Sequence, residues 1–219
     1  MFQQISLVIF VIFHIVLTCF SQIINIQKGG IQTASYRLNN GLTMPALGFG
    51  TSQLGNSTTT KNAVKIAIQT GYRQIDTATR YDNEVEIGEA LQELFNEKKI
   101  IREDIFITTK VWPNSFTYER VLESIRDSLK RLKLDRLDLV LLHFPAGFQS
   151  GNEPWPIYNN GTVIPLSWTK NSFIETWKAM EEAVKQNLTQ SIGVSNFNQK
   201  QMDILMQNSK IKPVLNQVK

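Results

Sequence analysis

The sequence is poor in the side chains that most often hold metals or form covalent cross-links. It contains one cysteine and two histidines among 219 residues. The cysteine, Cys19, lies inside an apolar stretch at the start of the chain. Small secreted domains that depend on disulfides need several cysteines, so a disulfide scaffold is excluded. A zinc centre of cysteine and histidine ligands is excluded too, because His143 is the only histidine beyond that stretch.

Two further patterns are missing. No Gly-x-Ser-x-Gly turn is present, and no serine stands at motif spacing from His143, which argues against a serine hydrolase. No basic stripe is present either, although the net charge is +4 and the pI is about 9.1. Four cations cluster at the C-terminal end of a predicted helix: Lys130, Arg131, Lys133 and Arg136. Positive charge at that end interacts favourably with the helix dipole, so we interpret the cluster as a solvated helix end and expect no nucleic-acid partner.

The first 21 residues differ from the rest of the chain. Ile5–Phe20 is almost wholly apolar and no charged side chain precedes Lys28, a length and composition typical of a signal peptide over residues 1–21. Cleavage after Ser21 would leave a linker over residues 22–35 and a protein of the secretory pathway, either secreted or held in the lumen of the endoplasmic reticulum. The alternatives are a retained membrane anchor and a mis-assigned start, which would leave a cytosolic protein.

Two observations bear on export in opposite directions. Three glycosylation sequons are present, at Asn56, Asn160 and Asn187. A chain rich in Asn, Ser and Thr contains a few sequons by chance, so their support is weak. The shortage of cysteine argues against export, because most small secreted domains use disulfides.

Residues 36–219 are predicted to form one domain. The turn signal Asn39-Asn40-Gly41 lies between two short extended stretches and predicts a hairpin. Six predicted strands then alternate with amphipathic helices. The strands are predicted over residues 46–50, 72–76, 105–109, 137–142, 191–194 and 213–218. The helices are predicted over residues 60–69, 84–97, 118–131, 173–185 and 198–206.

Strands that alternate with amphipathic helices predict a parallel sheet built from βαβ units. Apolar runs such as Leu137–Leu142 are typical of strands covered on both faces. Two architectures fit, a doubly wound sheet and a (β/α)8 barrel. No Gly-x-Gly-x-x-Gly turn follows the first strand, so a dinucleotide-binding doubly wound sheet has no support.

Polar side chains stand at the end of successive predicted strands. Each has an ordinary explanation by itself, such as a solvated loop lysine or a carboxylate that caps the next helix. Together they are difficult to explain in that way, because the carboxyl ends of barrel strands are where barrels hold their chemistry. These residues are Asp76, Lys110, His143, Ser195 with Asn196, and Asn216 with Gln217.

The residue types also make a working set for proton transfer. A phenol, Tyr81, follows Asp76 on the adjacent loop. A phenol ordinarily has a pKa of about 10, and a nearby ammonium such as that of Lys110 favours the phenolate. Asp76 could hold that lysine in place, and His143 could orient a carbonyl oxygen. Such a site can protonate an oxygen that is gaining negative charge.

Five stretches, in order, resemble the motifs of the aldo-keto reductase family, most of all its animal aldose-reductase-like members. The resemblance runs from about Tyr36 to Val218 and is specific. The stretches are Gly48-Phe49-Gly50-Thr51, Asp76-Thr77-Ala78-x-x-Tyr81-x-Asn83-Glu84, Thr109-Lys110-Val111-Trp112, Leu142-His143-Phe144-Pro145 and Ile192-Gly193-Val194-Ser195-Asn196-Phe197.

The resemblance implies a (β/α)8 TIM barrel that reduces aldehydes and ketones to alcohols with NADPH. It makes Tyr81 the proton donor, assisted by Lys110 and Asp76, with His143 orienting the carbonyl. The cofactor-binding residues it implies are Thr51, Asp76, Ser195, Asn196 and Gln217. The expected partner is a small carbonyl compound, and a completed chain is expected to be a monomer. Contact with a membrane is expected only through residues 1–21, if these are not cleaved.

The loop over residues 146–169 resembles the substrate loop of the family. Trp112, Phe144 and Phe148 would form an aromatic wall for an apolar carbonyl compound, although core packing is the alternative. Two positions depart from the family pattern. Ser52 stands where a bulky aromatic is usual, and Arg80 stands where an apolar residue is common. Arg80 could attract an anionic group of a substrate or pair with a nearby acid.

The sequence covers about six of the eight βα units that the resemblance implies. We therefore expect unpaired first and sixth strands. Lys219 stands where the family usually has Glu. For residues 22–219 alone we expect NADPH binding no tighter than millimolar. The alternative to a reductase is a non-catalytic exported barrel protein, or an inactive fragment of such a reductase.

Overall fold

The computed structural model describes residues 34–164 and 170–218. The predicted signal segment over residues 1–21, most of the linker, part of the long loop and Lys219 lie outside these residues. The chain begins with a small hairpin of β1 (Ser35–Arg37) and β2 (Thr43–Pro45), in which Ser35 faces Pro45. Its turn is closed by a bond of 3.0 Å from the Gly41 amide to the Leu38 carbonyl, and Gly41 has a φ of 87°, which glycine adopts without strain. The predicted hairpin is present.

Six parallel strands follow in a single sheet, and their order in the sheet is their order in the chain. They are β3 (Phe49–Gly50), β4 (Gln74–Asp76), β5 (Phe106–Val111), β6 (Leu137–Leu142), β7 (Thr189–Ser195) and β8 (Asn216–Gln217). The register brings carboxyl ends together, since Gly50 faces Asp76 and Ser195 faces Gln217. Successive strands therefore end at one edge of the sheet.

Five helices cover the outer face of the sheet. They are α1 (Thr58–Gln69), α2 (Glu84–Asn96), α3 (Tyr118–Leu132), α4 (Lys170–Lys185) and α5 (Gln199–Asn208). Strand residues that point outward, such as Ile107, Val140 and Ile192, join the helix side chains in one large apolar core. Helices α2 and α3 pack closely at Gly88, where a Cβ would lie 2.8 Å from the Leu132 carbonyl oxygen.

A second, smaller core lies on the inner face of the sheet. Leu38 from the hairpin packs with Phe106, Leu139 and Leu141, which alternate with the outward-facing residues of β5 and β6. The hairpin also bonds to the amino ends of the strands, since the Asn40 amide donates to the Ser191 hydroxyl over 3.0 Å. The strands are thus covered on both faces, as their apolar sequences predict.

The sheet is curled, as shown by a contact between a side chain of its last strand, β8, and a side chain of its second strand, β4. Gln217 Nε2 donates to Asp76 Oδ2 over 3.0 Å. Curled parallel sheet with helices outside is the arrangement of a partial (β/α)8 barrel, and the fold prediction is confirmed. The outer strands are shorter than predicted: β3 has two residues and β8 has two, because only these residues have ladder partners.

The cation cluster at the end of α3 is not simply a solvated helix end. Lys130 is exposed, but Arg131 forms an ion pair of 2.7 Å with Glu84, whose side chain is 1% exposed. Lys133 ends the helix in a left-handed conformation with a φ of 55°. Among the described residues no helix is long and apolar enough to span a membrane.

Candidate active site

The carboxyl ends of the strands bring the predicted residues into one neighbourhood. Asp76 ends β4, Lys110 is the penultimate residue of β5, and His143 directly follows β6. Ser195 ends β7 and Gln217 ends β8. Because parallel strands present these ends at the same edge, residues far apart in sequence become neighbours.

Lys110 and Asp76 form a buried ion pair. The Lys110 ammonium donates to Asp76 Oδ1 and, over 3.0 Å, to the Thr77 carbonyl. The Lys110 side chain is 3% exposed and that of Asp76 is 15% exposed. A buried ammonium is costly unless paired and hydrogen-bonded, and these two acceptors meet that need. Their positions hold the ammonium at the inner edge of the sheet.

Tyr81 comes to the same ammonium from a short turn. It ends the 3-10 turn Thr79–Tyr81, which follows β4. Its hydroxyl lies 3.4 Å from Lys110 Nζ, and Nζ lies 5.0 Å from the centre of its ring. The ammonium therefore faces the phenol oxygen and the carboxylate of Asp76 together. The Lys110 ammonium thus links the side chains of Asp76 and Tyr81.

His143 lies on the other side of Tyr81. The ring centres of Tyr81 and His143 are 5.7 Å apart, and the rings meet edge to face at 81°. The His143 amide continues the sheet by donating to the Val111 carbonyl over 3.1 Å. The imidazole also packs against Trp112 and stacks on Phe144. Asp76, Tyr81, Lys110 and His143 are thus brought together as the sequence predicts.

The predicted cofactor residues of β7 and β8 form a second group beside Asp76. The Ser195 hydroxyl donates to the Gln217 carbonyl over 2.8 Å, and Asn196 Nδ2 donates to the His143 carbonyl over 3.1 Å. Gln217 Nε2 donates to Asp76. Among the described residues none donates to the side-chain oxygens of Asn196 and Gln217. Two amide oxygens that lack a donor suit a ligand carboxamide, which offers N–H groups.

Thr51 takes a different position. Its side chain is fully buried, and its hydroxyl donates to the Asp76 carbonyl over 3.1 Å. Its amide donates to the same carbonyl. The Thr51 carbonyl also accepts from Asn83 Nδ2 over 2.8 Å, so the bonds of Thr51 are internal to the protein.

The predicted aromatic wall is assembled around Trp112. The ring centres of Phe144 and Phe148 lie 5.5 and 6.1 Å from that of Trp112. Trp155, which sequence reasoning missed, lies 4.9 Å from Trp112 and 5.4 Å from Phe148. The indole N–H of Trp112 donates to the Pro154 carbonyl over 2.7 Å. An aromatic residue between Pro154 and Pro156 in the long loop was the available signal.

Arg80 lies at the outer side of the same turn and is exposed. It lines a cavity of about 450 Å³ that also borders Trp112 and five acids. Within the described part of the chain no carboxylate lies within 4.0 Å of its guanidinium. Pairing with a nearby acid is therefore not observed. The five acids are Asp82, Glu84, Glu86, Glu123 and Asp127.

Glu84 begins α2, as the sequence predicts, and both Glu84 and the preceding Asn83 are buried, which sequence reasoning missed. Glu84 accepts from Thr109 over 2.6 Å and from Ser128 over 3.1 Å, besides Arg131. Asn83 is 1% exposed. The signal for Glu84 was its spacing of three from Ile87, which puts a carboxylate on the apolar face of the helix.

Comparison with known proteins shows the family of the chain. The aldo/keto reductase family model matches residues 46–219. The chain is similar to aldo-keto reductase family 1 member A1 of Gallus gallus, with 41% identity over 184 residues, which are 83% of this chain and 54% of that protein. It is also similar to member A1-A of Danio rerio, with 42% identity over 187 residues, which are 85% and 56% of the two chains. The chain thus spans about half the length of these relatives.

A solved structure gives the same result for the fold. The aldose reductase of Schistosoma japonicum superposes with a TM-score of 0.81 at 37% identity, over 85% of this chain and 61% of that one. Member C1 of Homo sapiens is 40% identical over 186 residues, which are 83% and 57% of the two chains. Since the family model covers well over half of the chain and these relatives are about 40% identical to it, this protein belongs to the aldo/keto reductase family.

Proposed function

We propose that the protein reduces aldehydes and ketones to alcohols, with NADPH as the hydride donor and Tyr81 as the proton donor. The observation that carries the proposal is the position of the Lys110 ammonium, which faces the Tyr81 hydroxyl at 3.4 Å and is held by Asp76. An ammonium so placed stabilises the phenolate that remains when a phenol gives up its proton. Family membership supports the reaction class.

Each residue of the site has a role in the proposed reaction that follows from its position. His143, edge-on to Tyr81, can hydrogen-bond a carbonyl oxygen and direct it to the phenol. Tyr81 then gives its proton to that oxygen as negative charge develops there. Asp76 restrains Lys110, and the Thr77 carbonyl restrains it further. This arrangement confines the proton transfer to a single hydroxyl.

The cofactor would bind beside Asp76. NADPH supplies the hydride when bound. The side-chain oxygens of Asn196 and Gln217 are acceptors for its carboxamide, with Ser195 between them. Thr51 and Asp76 complete the predicted group, Thr51 by supporting the Asp76 backbone. NADPH is favoured over NADH only by the resemblance.

The test is NADPH oxidation with a simple aromatic aldehyde, followed at 340 nm or by product analysis, at NADPH concentrations in the millimolar range because weak binding is expected. Active parent protein and a Tyr81→Phe variant with turnover reduced by about a hundredfold or more would support the proposal. Equal turnover in both proteins would contradict the assignment of Tyr81. No turnover in the parent would favour the alternative, a non-catalytic exported protein, for which the apolar segment Ile5–Phe20 speaks.

Arg80 bears on which carbonyl compound is used. We propose that its guanidinium, which has no carboxylate partner among the described residues, attracts an anionic group of the substrate beyond the wall formed by Trp112. The rates for a carboxylated and an uncharged aromatic aldehyde should converge in Arg80→Ala, chiefly through the KM of the charged one. An unchanged ratio of the two rates would exclude this role.

Localisation follows from the start of the sequence. We propose entry into the secretory pathway through residues 1–21, with membrane anchoring or a cytosolic protein as alternatives. Asn56, Asn160 and Asn187 are all exposed, so glycans there are compatible with the fold. Expression in a secreting animal cell should give a product whose mobility changes with peptide N-glycosidase. A product found only in the cytosol, with no such change, would contradict export.

A further inference from the structure

Tyr81 lies on a short turn that is closed by a backbone hydrogen bond of 3.0 Å from the Tyr81 amide to the Ala78 carbonyl. The 3-10 turn Thr79–Tyr81 is followed by Asp82 in a left-handed conformation with a φ of 54°. Asp is one of the few non-glycine residues that tolerate this conformation, so it is not by itself a sign of strain. Side-chain bonds from Asn83 and Thr79 add to this backbone bond on either side of the phenol.

Asn83 joins the two ends. Its Oδ1 accepts from the Thr77 hydroxyl over 3.1 Å, which closes the turn between them. Its Nδ2 donates to the Thr51 carbonyl over 2.8 Å, which ties the closed turn to the end of β3. The side chain is 1% exposed, so water does not compete for these bonds.

Thr79, the first residue of the turn, is bonded to β5. Its hydroxyl donates to the backbone carbonyl of Lys110 over 3.0 Å. Lys110 is the residue whose ammonium faces the Tyr81 hydroxyl. One bond thus couples the turn that carries the phenol to the strand residue that carries the ammonium.

We propose that Asn83 and Thr79 are positioning residues that set the distance between the Tyr81 hydroxyl and the Lys110 ammonium. The inference deepens the proposed function and rests on it for its kinetic consequence. Neither side chain has a bond to the Tyr81 hydroxyl, so both act through the backbone of the turn. A role in general stability alone would leave the environment of the Tyr81 ring unchanged in the folded protein.

The test uses the full 219-residue chain labelled with 3-fluorotyrosine. The Tyr81→Phe variant identifies the fluorine resonance of position 81 among the five tyrosines. That resonance should shift or broaden in Asn83→Ala and in Thr79→Val, and it should keep its parental position in Thr79→Ser, which restores the hydroxyl. Circular dichroism at the same temperature confirms that each variant is folded.

Asn40→Ala is the matched control. It also removes an asparagine that bonds a distant strand, through the Gln190 carbonyl and the Ser191 hydroxyl, but at the amino ends of the strands. Its position-81 resonance should match the parent. An unshifted, sharp resonance in both folded Asn83→Ala and Thr79→Val would overturn the proposal, as would an equal shift in Asn40→Ala.

Kinetics separate this inference from the function itself. If the parent reduces an aldehyde, kcat should fall about tenfold or more in Asn83→Ala while KM changes about twofold or less, because a small misplacement of a catalytic group costs rate more than binding. Parental kcat in Asn83→Ala would overturn the positioning role. If the parent has no turnover, the proposed function fails, and the fluorine spectra still decide whether Asn83 and Thr79 hold the turn.

Discussion

The ion pair at the inner edge of the sheet and the ion pairs between helices on the protein surface consist of the same chemical groups, but they differ in how far they are exposed to water. Inside, Lys110 and Asp76 have side chains 3% and 15% exposed. On the surface, Lys61 and Glu89, which join α1 to α2, are 25% and 41% exposed. Water screens the outer pair, so it contributes little to stability. The inner pair must be satisfied by protein groups, which fix where each atom lies.

The pKa values of two other carboxyl groups, Asp138 and Glu93, also differ between the interior and the surface. Burial raises the pKa of Asp138, although Arg102 and the Ile107 amide both oppose the shift. On the surface, hydrogen bonds from Lys61 and Lys65 lower the pKa of Glu93. Desolvation therefore dominates at the first site, and favourable pairing dominates at the second.

The largest contrast is expected from one substitution made at the two kinds of site. Lys110→Met removes the ammonium that faces Tyr81, and turnover should fall by about a hundredfold or more. Lys61→Met removes an ammonium of the surface group and should leave turnover at the parental value. NADPH oxidation by the two variants, with folding checked by circular dichroism, measures the contrast. Equal losses would mean that Lys110 acts only through stability.

The interior site was predictable because its residues stand at strand ends. Asp76, Lys110 and His143 each stand at the end of a predicted strand, and parallel strands bring such ends together whatever the details of packing. The hairpin at Gly41 and the alternation of strands with helices followed from turn chemistry and periodicity. Periodicity left a doubly wound sheet and a barrel open, and only the family resemblance implied the barrel. A pattern that repeats with the fold can be found in a single sequence.

The supporting bonds could not be predicted in that way. Glu84 meets Thr109 and Arg131 because helix packing sets the distance between α2 and α3, and the sequence does not contain that distance. Trp155 reaches Trp112 through a loop whose path depends on its own turns. The lengths of β3 and β8 depend on their ladder partners in the same manner.

Glu84 offers the next largest effect, on stability. Glu84→Ala should lower the free energy of unfolding by about 3 kcal/mol, since it removes a buried acceptor from Arg131 and from two hydroxyls. Urea unfolding measures this change. Glu89→Ala, on the neighbouring surface of the same helix, is the control and should leave the unfolding midpoint unchanged. A small loss in Glu84→Ala would show that burial adds little to the pair.

The pH dependence should have opposite signs at Asp138 and Glu93. Because the folded pKa of Asp138 is raised above its unfolded value, its ionised form destabilises the fold above that pKa, and stability is regained as the pH falls through it. Asp138→Asn should therefore gain on the parent most at neutral pH. Because the folded pKa of Glu93 is lowered below its unfolded value, ionised Glu93 stabilises the fold at pH values above the unfolded pKa. That stabilisation is lost as the pH falls through the folded pKa. Glu93→Gln should lose most at neutral pH, as urea midpoints between about pH 3 and pH 7 would record.

The smallest effect is expected where the surface pairs alone are broken. Lys65 lies 2.7 Å from Glu93 and 3.5 Å from Glu97, and its raised pKa arises chiefly from the bond to Glu93. Lys65→Met should leave the urea midpoint unchanged at about 0.15 M salt and lower it slightly at about 0.01 M, where screening is weak. A salt-independent loss as large as that of Glu84→Ala would break the distinction between the two regions, because it would mean that an exposed pair supports the fold as strongly as a buried one.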